Sequence, residues 1–331
     1  MTFKNYLQFV ADSESGLLWR LTHKALHYLD RIHAKTRKSA LVPFISRHYP
    51  ELQIVFYDLG AAGGMDPTYG PLFALPCFQA IGFDPNKGNL EGLETTAKVR
   101  FYPFAIAGSR GKRALYVTKS PGCSSLFPPN EQNLREYPLA DLLQVVRTEE
   151  FDVITLDEFV VQNSVPYPDF LKLDVQGAEY EIFQAGGCTL KNVTGISFET
   201  RLREIYTGEG LFPATHSLLA DLGFRLISKG GRSVHFAGET LEMDVAYVRG
   251  ADSLATPLDV VRAVLFCVCH ENLTFAAHLV RNSSLPAGEK TMLLRFLRKD
   301  FGFSEAPETL LMKMALDRLS RKGTPGGKSF S

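Results

Sequence analysis

Ile54-Val55-Phe56-Tyr57-Asp58-Leu59-Gly60-Ala61-Ala62-Gly63-Gly64 is the stretch on which the reading of this chain turns. Its apolar first half has the length and composition of an inner parallel strand, buried on both faces. The run ends on a carboxylate, Asp58, and breaks into small residues, which let backbone N–H groups come close to a ligand where a helix would start. A second run, Ala80-Ile81-Gly82-Phe83-Asp84-Pro85-Asn86, again ends on an acid. Asp84 falls roughly where a ribose-binding carboxylate stands in βαβ nucleotide folds. Two acids at two strand tips point to one adenosine-bearing ligand.

A nicotinamide dinucleotide is the first competitor for that place. Its fingerprint needs glycines at relative positions one, three and six. Counted from Gly60, position three is Ala62 and position six is Met65, so the fingerprint fails and a dehydrogenase is disfavoured. Asp58 would repel a pyrophosphate, yet it complements the ammonium and sulfonium of S-adenosylmethionine. The plainer alternative is that Asp58 only caps a helix N-terminus. The expected cofactor is therefore S-adenosylmethionine, contacted by Asp58, Gly60, Ala61, Ala62, Gly63, Asp84, Pro85, Asn86 and Ala105, with Asp174 joining from a later strand.

Asp169-Phe170-Leu171-Lys172-Leu173-Asp174-Val175-Gln176-Gly177-Ala178-Glu179-Tyr180-Glu181-Ile182-Phe183-Gln184-Ala185-Gly186 reads as a strand, a turn and a helix. It resembles the signature segment of the FkbM family of S-adenosylmethionine-dependent methyltransferases, a Lys-x-Asp-x-Glu-Gly-x-Glu pattern. Thr155-Leu156-Asp157-Glu158-Phe159 before it, Gly195-Ile196-Ser197-Phe198-Glu199 after it and a closing Met243-Asp244-Val245-Ala246-Tyr247-Val248 resemble the family in the same order. The resemblance spans roughly residues 54 to 249. It implies O-methyl transfer to a small hydroxylated acceptor, such as a glycan sugar or a secondary metabolite. This chain departs at Gln176, where the family usually carries Glu. That loss is the best support for the competing function, an inactive scaffold that binds a partner through its helical ends.

Asp174 is the first catalytic candidate, because it ends the strand expected beside the glycine-turn strand and so opens onto the crevice at the switch point of the sheet. Lys172 sits two residues earlier, on the same strand face. A lysine is costly to bury unpaired, so a Lys172–Asp174 contact is expected; the alternative is that the two only neutralise each other and orient the turn. Glu179 and Glu181 fall in a first helical turn, where the macrodipole alone favours acids. Glu199 ends the next strand and is a further catalytic candidate. After it, Arg201 and Arg203 could fork onto a carboxylate or phosphate of the acceptor, or be plain surface arginines. Gln176, and Ser124 from the proline- and serine-rich loop 120–130, complete the substrate-binding candidates, that loop being read as a lid or binding segment. His216, opening a helix after Pro213, is a candidate base, although a lone histidine is more often structural.

Alternating strand and helix patterns fill residues 54–249, with strands near 54–58, 80–84, 99–103, 153–156, 170–174, 195–199, 224–228 and 243–248. The fold class is α/β, a doubly wound, mostly parallel seven-stranded sheet of the Rossmann-like methyltransferase type with helical additions at both ends. Residues 1–50 form a helical segment, 51–250 the methyltransferase domain, and 251–331 a helical extension with a disordered tail. Helices are expected from Pro257 to His270, Leu273 to Val280 and Lys290 to Arg298. At 331 residues and 45% hydrophobic the chain can bury a sizeable core. Thirty-six basic and 36 acidic side chains leave no net charge, which excludes a global nucleic-acid-binding face. No run of about 18 apolar residues and no signal-like core is present, so a cytoplasmic protein is expected.

Five cysteines at scattered positions are unlike a disulfide framework. Cys267-Val268-Cys269-His270 reads as a buried helix face rather than a metal site, and no metal is expected. The N-terminal region is lopsided. Between Arg20 and His48 there are seven Lys/Arg against the single acid Asp30. That is either a solvated face or a docking surface for an anionic partner, such as a phosphate-bearing acceptor or lipid head groups at a membrane surface.

Overall fold

A computed structural model describes residues 40–228 and 233–303. The basic stretch up to residue 39, and the tail after residue 303, lie outside the described residues. Helical backbone over residues 40–48 opens the described chain, and β1 (Ile54–Leu59), β2 (Phe78–Phe83) and β3 (Val99–Tyr102) follow. β4 (Ala105–Ile106), β5 (Gly111–Thr118) and β6 (Val145–Ile154) make a separate small sheet. α1 (Leu156–Asn163), β7 (Phe170–Leu173), α2 (Glu179–Ala185), α3 (Gly187–Asn192), β8 (Gly195–Arg201) and α4 (Phe212–Asp221) follow. β9 (Phe224–Ser228), β10 (Ser233–Phe236) and β11 (Glu239–Arg249) lead to three helices, α5 (Pro257–Cys269), α6 (Leu273–Asn282) and α7 (Ala287–Phe301).

The main sheet has eight strands, in the order β10-β11-β8-β7-β1-β2-β3, with β9 pairing β11 as well. β3, β2, β1, β7 and β8 run parallel to one another, and β11 runs antiparallel to β8, β9 and β10. The seven strands of the expected sheet are all present, and β10 is an addition on the β11 edge. Strand order reverses at β1, whose neighbours are β2 on one side and β7 on the other. The C-terminal tips of β1 and β7 therefore flank the switch-point crevice.

Strand alternation sends β1 side chains to two cores. Tyr57, Leu59, Leu173 and Tyr247 pack on one face with Phe159, Ile182 and Leu219 of α1, α2 and α4. Ile54, Phe56, Phe170 and Val248 pack on the other with α5 to α7. The reason for the second cover lies in the connections. Between β1 and β3 the chain forms only 3-10 turns and the single helical turn Lys87–Leu90, too little to bury a sheet face. The C-terminal helices take that place, so they share a core with the sheet instead of extending from it. α5 starts from a capping box of Thr256 and Asp259 with Pro257 at its first turn. Its Phe266 lies so close to β8 that a Cβ on Gly195 would stand 2.3 Å from the ring. Arg262 on the same helix reaches Asp169 at 3.0 Å, and Asp169 accepts the Val55 N–H.

The run near 153–156 differs from its expected role. It is the end of β6, which pairs antiparallel with β5 in the small sheet, and Thr155 becomes the N-cap of α1 through a capping box with Glu158. Among the described residues no helix is long and apolar enough to cross a membrane, and no group of three or more His, Cys, Asp or Glu is placed to hold a metal ion.

Candidate active site

β1 delivers the glycine turn to the crevice. Gly60 has φ +89°, and a Cβ there would fall 2.1 Å from the Asp174 carbonyl oxygen, so only glycine lets the tips of β1 and β7 close together. The N–H groups of Gly60 and Ala61 both donate to Phe83 O at 2.9 Å, fixing the turn to β2. Ala61 is buried and Ala62 exposed. Gly63, with φ +75°, has nothing within 4 Å of where a Cβ would stand. Asp84 follows β2 and is buried; Asn86 N–H donates to its Oδ1 at 2.8 Å, and Asn89 Nδ2 lies 3.1 Å from both its oxygens. Burial pushes its carboxyl above the usual range in spite of those donors. Pro85 and Asn86 follow, with Asn86 capping the helical turn that begins at Lys87. Ala105 lies elsewhere, in β4 of the small sheet, packed with Leu126 and Val153.

Asp58 is 1% exposed. One oxygen accepts the Asp66 N–H at 2.7 Å; the other faces Lys172 Nζ at 3.1 Å, compensated in charge but off the line of a directed hydrogen bond. Its charge is thus spent inside the protein. Lys172 stands 3.7 Å from Asp174, so the expected contact exists but is the longer of two. Burial works to lower the Lys172 ammonium, and the carboxylates of Asp58 and Asp174 overcome it, holding it above its ordinary value.

Gln176 sits in the β7 turn at φ +54°. Its amide nitrogen donates to Asp174 Oδ1 at 2.7 Å and Glu199 Oε2 at 3.0 Å, while its oxygen accepts from Arg201 at 3.0 Å and lies 3.0 Å from the Tyr206 hydroxyl. A glutamate could not make the first two bonds without a proton. Behind the turn, Glu179 accepts the N–H groups of Val175 and Gly177, and burial pushes its carboxyl up to about 7.

Arg201 does not reach toward an incoming ligand. It is 2% exposed and ion-paired with Glu199 at 2.6 Å, Glu242 at 3.0 Å and Glu209 at 3.2 Å, because a guanidinium in the core needs its charge balanced. Arg203 is at the surface beside Glu136 and Glu239. Ser124 accepts from Thr118 N–H, whereas the next residue, Ser125, donates to Gln176 O at 2.5 Å. The loop 120–130 is therefore docked on the turn by Ser125, and by the Tyr206 hydroxyl donating to Cys123 O. His216 is on the opposite sheet face, its Nδ1 2.9 Å from the Tyr247 hydroxyl, away from Asp174.

A cleft of about 320 Å³ opens between these groups, lined in part by Asp66, Lys172, Asp174 and Glu199. Burial pushes the Glu199 carboxyl up to about 8 against the pull of Arg201, and Glu242 adds to the rise. Of the other lining residues, Ser197 and Asp244 were not singled out from the sequence, nor were Asp66, Pro67 and Thr68, and His270 was read only as part of a buried helix face. Period-two alternation from Glu199 and from the β11 pairing could have found the first two. His270 had no such signal, ending an apolar run remote from every motif.

A family model described as the methyltransferase FkbM domain matches residues 60–226. No curated protein matches the chain. Among solved structures, magnesium protoporphyrin IX methyltransferase from Synechocystis PCC 6803, with bound S-adenosylmethionine, is similar at 13% identity over 66% of this chain and 80% of that one, with a TM-score of 0.32. Precorrin-6y C5,15-methyltransferase from Geobacter metallireducens is similar at 13% identity over 62% of this chain and 86% of that one, with a TM-score of 0.26.

Proposed function

Because the chain belongs to the FkbM family of S-adenosylmethionine-dependent methyltransferases, we propose that it methylates a hydroxyl of a small acceptor, such as a glycan sugar or a secondary metabolite. The residues at the crevice fit the methyl donor. The positive φ angles of Gly60, Gly63 and Gly64 and the open space over Gly63 leave backbone free to approach a ligand. Asp84 keeps lone pairs beyond those used by Asn86 and Asn89, which suits a ribose diol. Asp58 serves the site by fixing Asp66 and Lys172, not by direct charge pairing with the donor.

Bound S-adenosylmethionine supplies an electrophilic methyl group. The protein's share is to align an acceptor oxygen with it and to take the hydroxyl proton. We assign the proton to Asp174, whose side chain is 45% exposed at the tip of β7. Gln176 orients this carboxylate, and Lys172 stands beside it. Glu199, held by the same amide and pushed up to about 8 by burial, is a second station for the proton. The observation that carries the reading is this amide bridge, which aims two carboxylates at one cleft; an inactive scaffold has no need of it. Incubation with labelled S-adenosylmethionine and fractionated glycans and metabolites tests it. The expected product carries the label on oxygen; label on carbon or nitrogen overturns the assignment.

A further inference from the structure

Cys267, Val268 and Cys269 are buried, as a helix face should be, but His270 departs from them. It caps the C-terminus of α5, and its ring lines the cleft at the C-terminal edge of the sheet. It lies beyond residues 60–226, in the region that covers the second sheet face. Its Nε2 is 3.3 Å from the Tyr69 hydroxyl, which is 2.9 Å from Ser197 Oγ. Tyr69 is fully buried and stacked on Phe56 with ring centroids 4.1 Å apart, so the imidazole is anchored to a fixed point. The other ring nitrogen, Nδ1, has no hydrogen-bond partner among the described residues. Burial holds the imidazole down to about 4 although Asp66 pulls the other way, so at neutral pH the ring offers a hydrogen bond and no charge.

The remaining wall of the cleft is rich in carboxylates: Asp66, Asp174, Glu199 and Asp244. Among the described residues the one basic side chain lining it is Lys172, whose nearest partner is Asp58. An anionic acceptor of the kind that the basic stretch 20–48 could attract would meet no uncompensated cation here. We propose that His270 is an acceptor-binding residue whose free nitrogen hydrogen-bonds the substrate, and that the cleft it closes admits a hydroxyl-bearing molecule carrying no phosphate or carboxylate. The proposal rests on the methyltransferase reading for the role of the cleft, and its test separates the two.

The full chain, saturated with S-adenosylhomocysteine, is titrated with methyl α-D-glucopyranoside and, separately, with glucose 6-phosphate while histidine side-chain resonances are followed by nitrogen-15 NMR. The His270 signal is identified by its loss in His270→Ala. The neutral glucoside is expected to shift that signal saturably and the phosphate not to. His270→Ala should weaken the glucoside about fivefold or more, the worth of one hydrogen bond, and His270→Asn should recover part of it. S-adenosylhomocysteine affinity should stay unchanged in both variants, which also shows that they fold. A stronger response to glucose 6-phosphate, no response of His270 to either sugar, or equal glucoside affinity in all three proteins overturns the proposal. Failure of the wild-type chain to bind S-adenosylhomocysteine would instead remove the methyltransferase reading, and the sugar titrations would still report on the cleft.

Discussion

Asp174 and Glu199 sit on neighbouring strand tips and share one amide, yet their surroundings divide the work between them. Asp174 is the more exposed and is held by Gln176 and Lys172. Asp174→Asn keeps the shape and removes the proposed base, so turnover should fall about a hundredfold or more while S-adenosylmethionine binding stays nearly intact. Single-turnover kinetics with calorimetry on the donor checks this, and near-normal turnover would clear Asp174 of the role. Glu199 titrates at about 8 in the folded protein, from an ordinary value of 4.5, with burial first and Glu242 among the causes. Between those values the folded chain holds a proton that the unfolded chain has lost, so this group's contribution to stability falls as pH rises through the window and is flat above it. Glu242→Gln removes a neighbour that raises the value. The drop in urea midpoint from mildly acidic to alkaline pH should then shrink; an unchanged drop would show that Glu242 does not hold Glu199 up. The acids at strand tips were legible in the sequence because an apolar run ending on a carboxylate is a local pattern. Neither reading of Arg201 gave its burial, because Arg201 answers to Glu209 and Glu242, whose approach depends on the β8–β11 register and on a folded loop.

The strands around the crevice were equally legible as elements, since the interiors of β1, β2 and β7 are mainly apolar and a carboxylate stands at or next to the C-terminal end of each. The β5–β6 pair was not, because its strands are joined across residues 119–144 instead of by a tight turn and their faces are largely exposed, which leaves neither a hairpin signal nor a strong alternation. α5 shows the converse: its boundaries follow from Thr256, Pro257 and the apolar run, but its partner does not. Phe266 packs against Gly195, Phe170 and Tyr69, which come from three distant parts of the chain. Phe266→Ala should cost about 3–5 kcal/mol by opening a cavity between helix and sheet. Chemical unfolding measures it, and a loss under about 1 kcal/mol would mean that α5 is not packed on β8 as described.

The molecule as a whole depends on a cover that begins after the family-matched region ends. Phe56, Phe78 and Phe170 lie in one core with Val264, Phe266, Leu279 and Leu297 of α5 to α7. A chain truncated after residue 250 should therefore expose that face, bind a hydrophobic dye and precipitate or lose cooperative unfolding, whereas a stable, cooperatively melting truncation would show that the helices are dispensable. The same arrangement sets a schedule. A growing polypeptide emerges from the ribosome N-terminus first, so β1, β2 and β7 exist for some time with one apolar side bare, and hazard of aggregation peaks late in synthesis, not early. Activity keeps the same calendar. His270, at the end of the first covering helix, is among the last parts of the cleft to be made, and on its proposed role a nascent chain can hold no acceptor properly until that helix has docked.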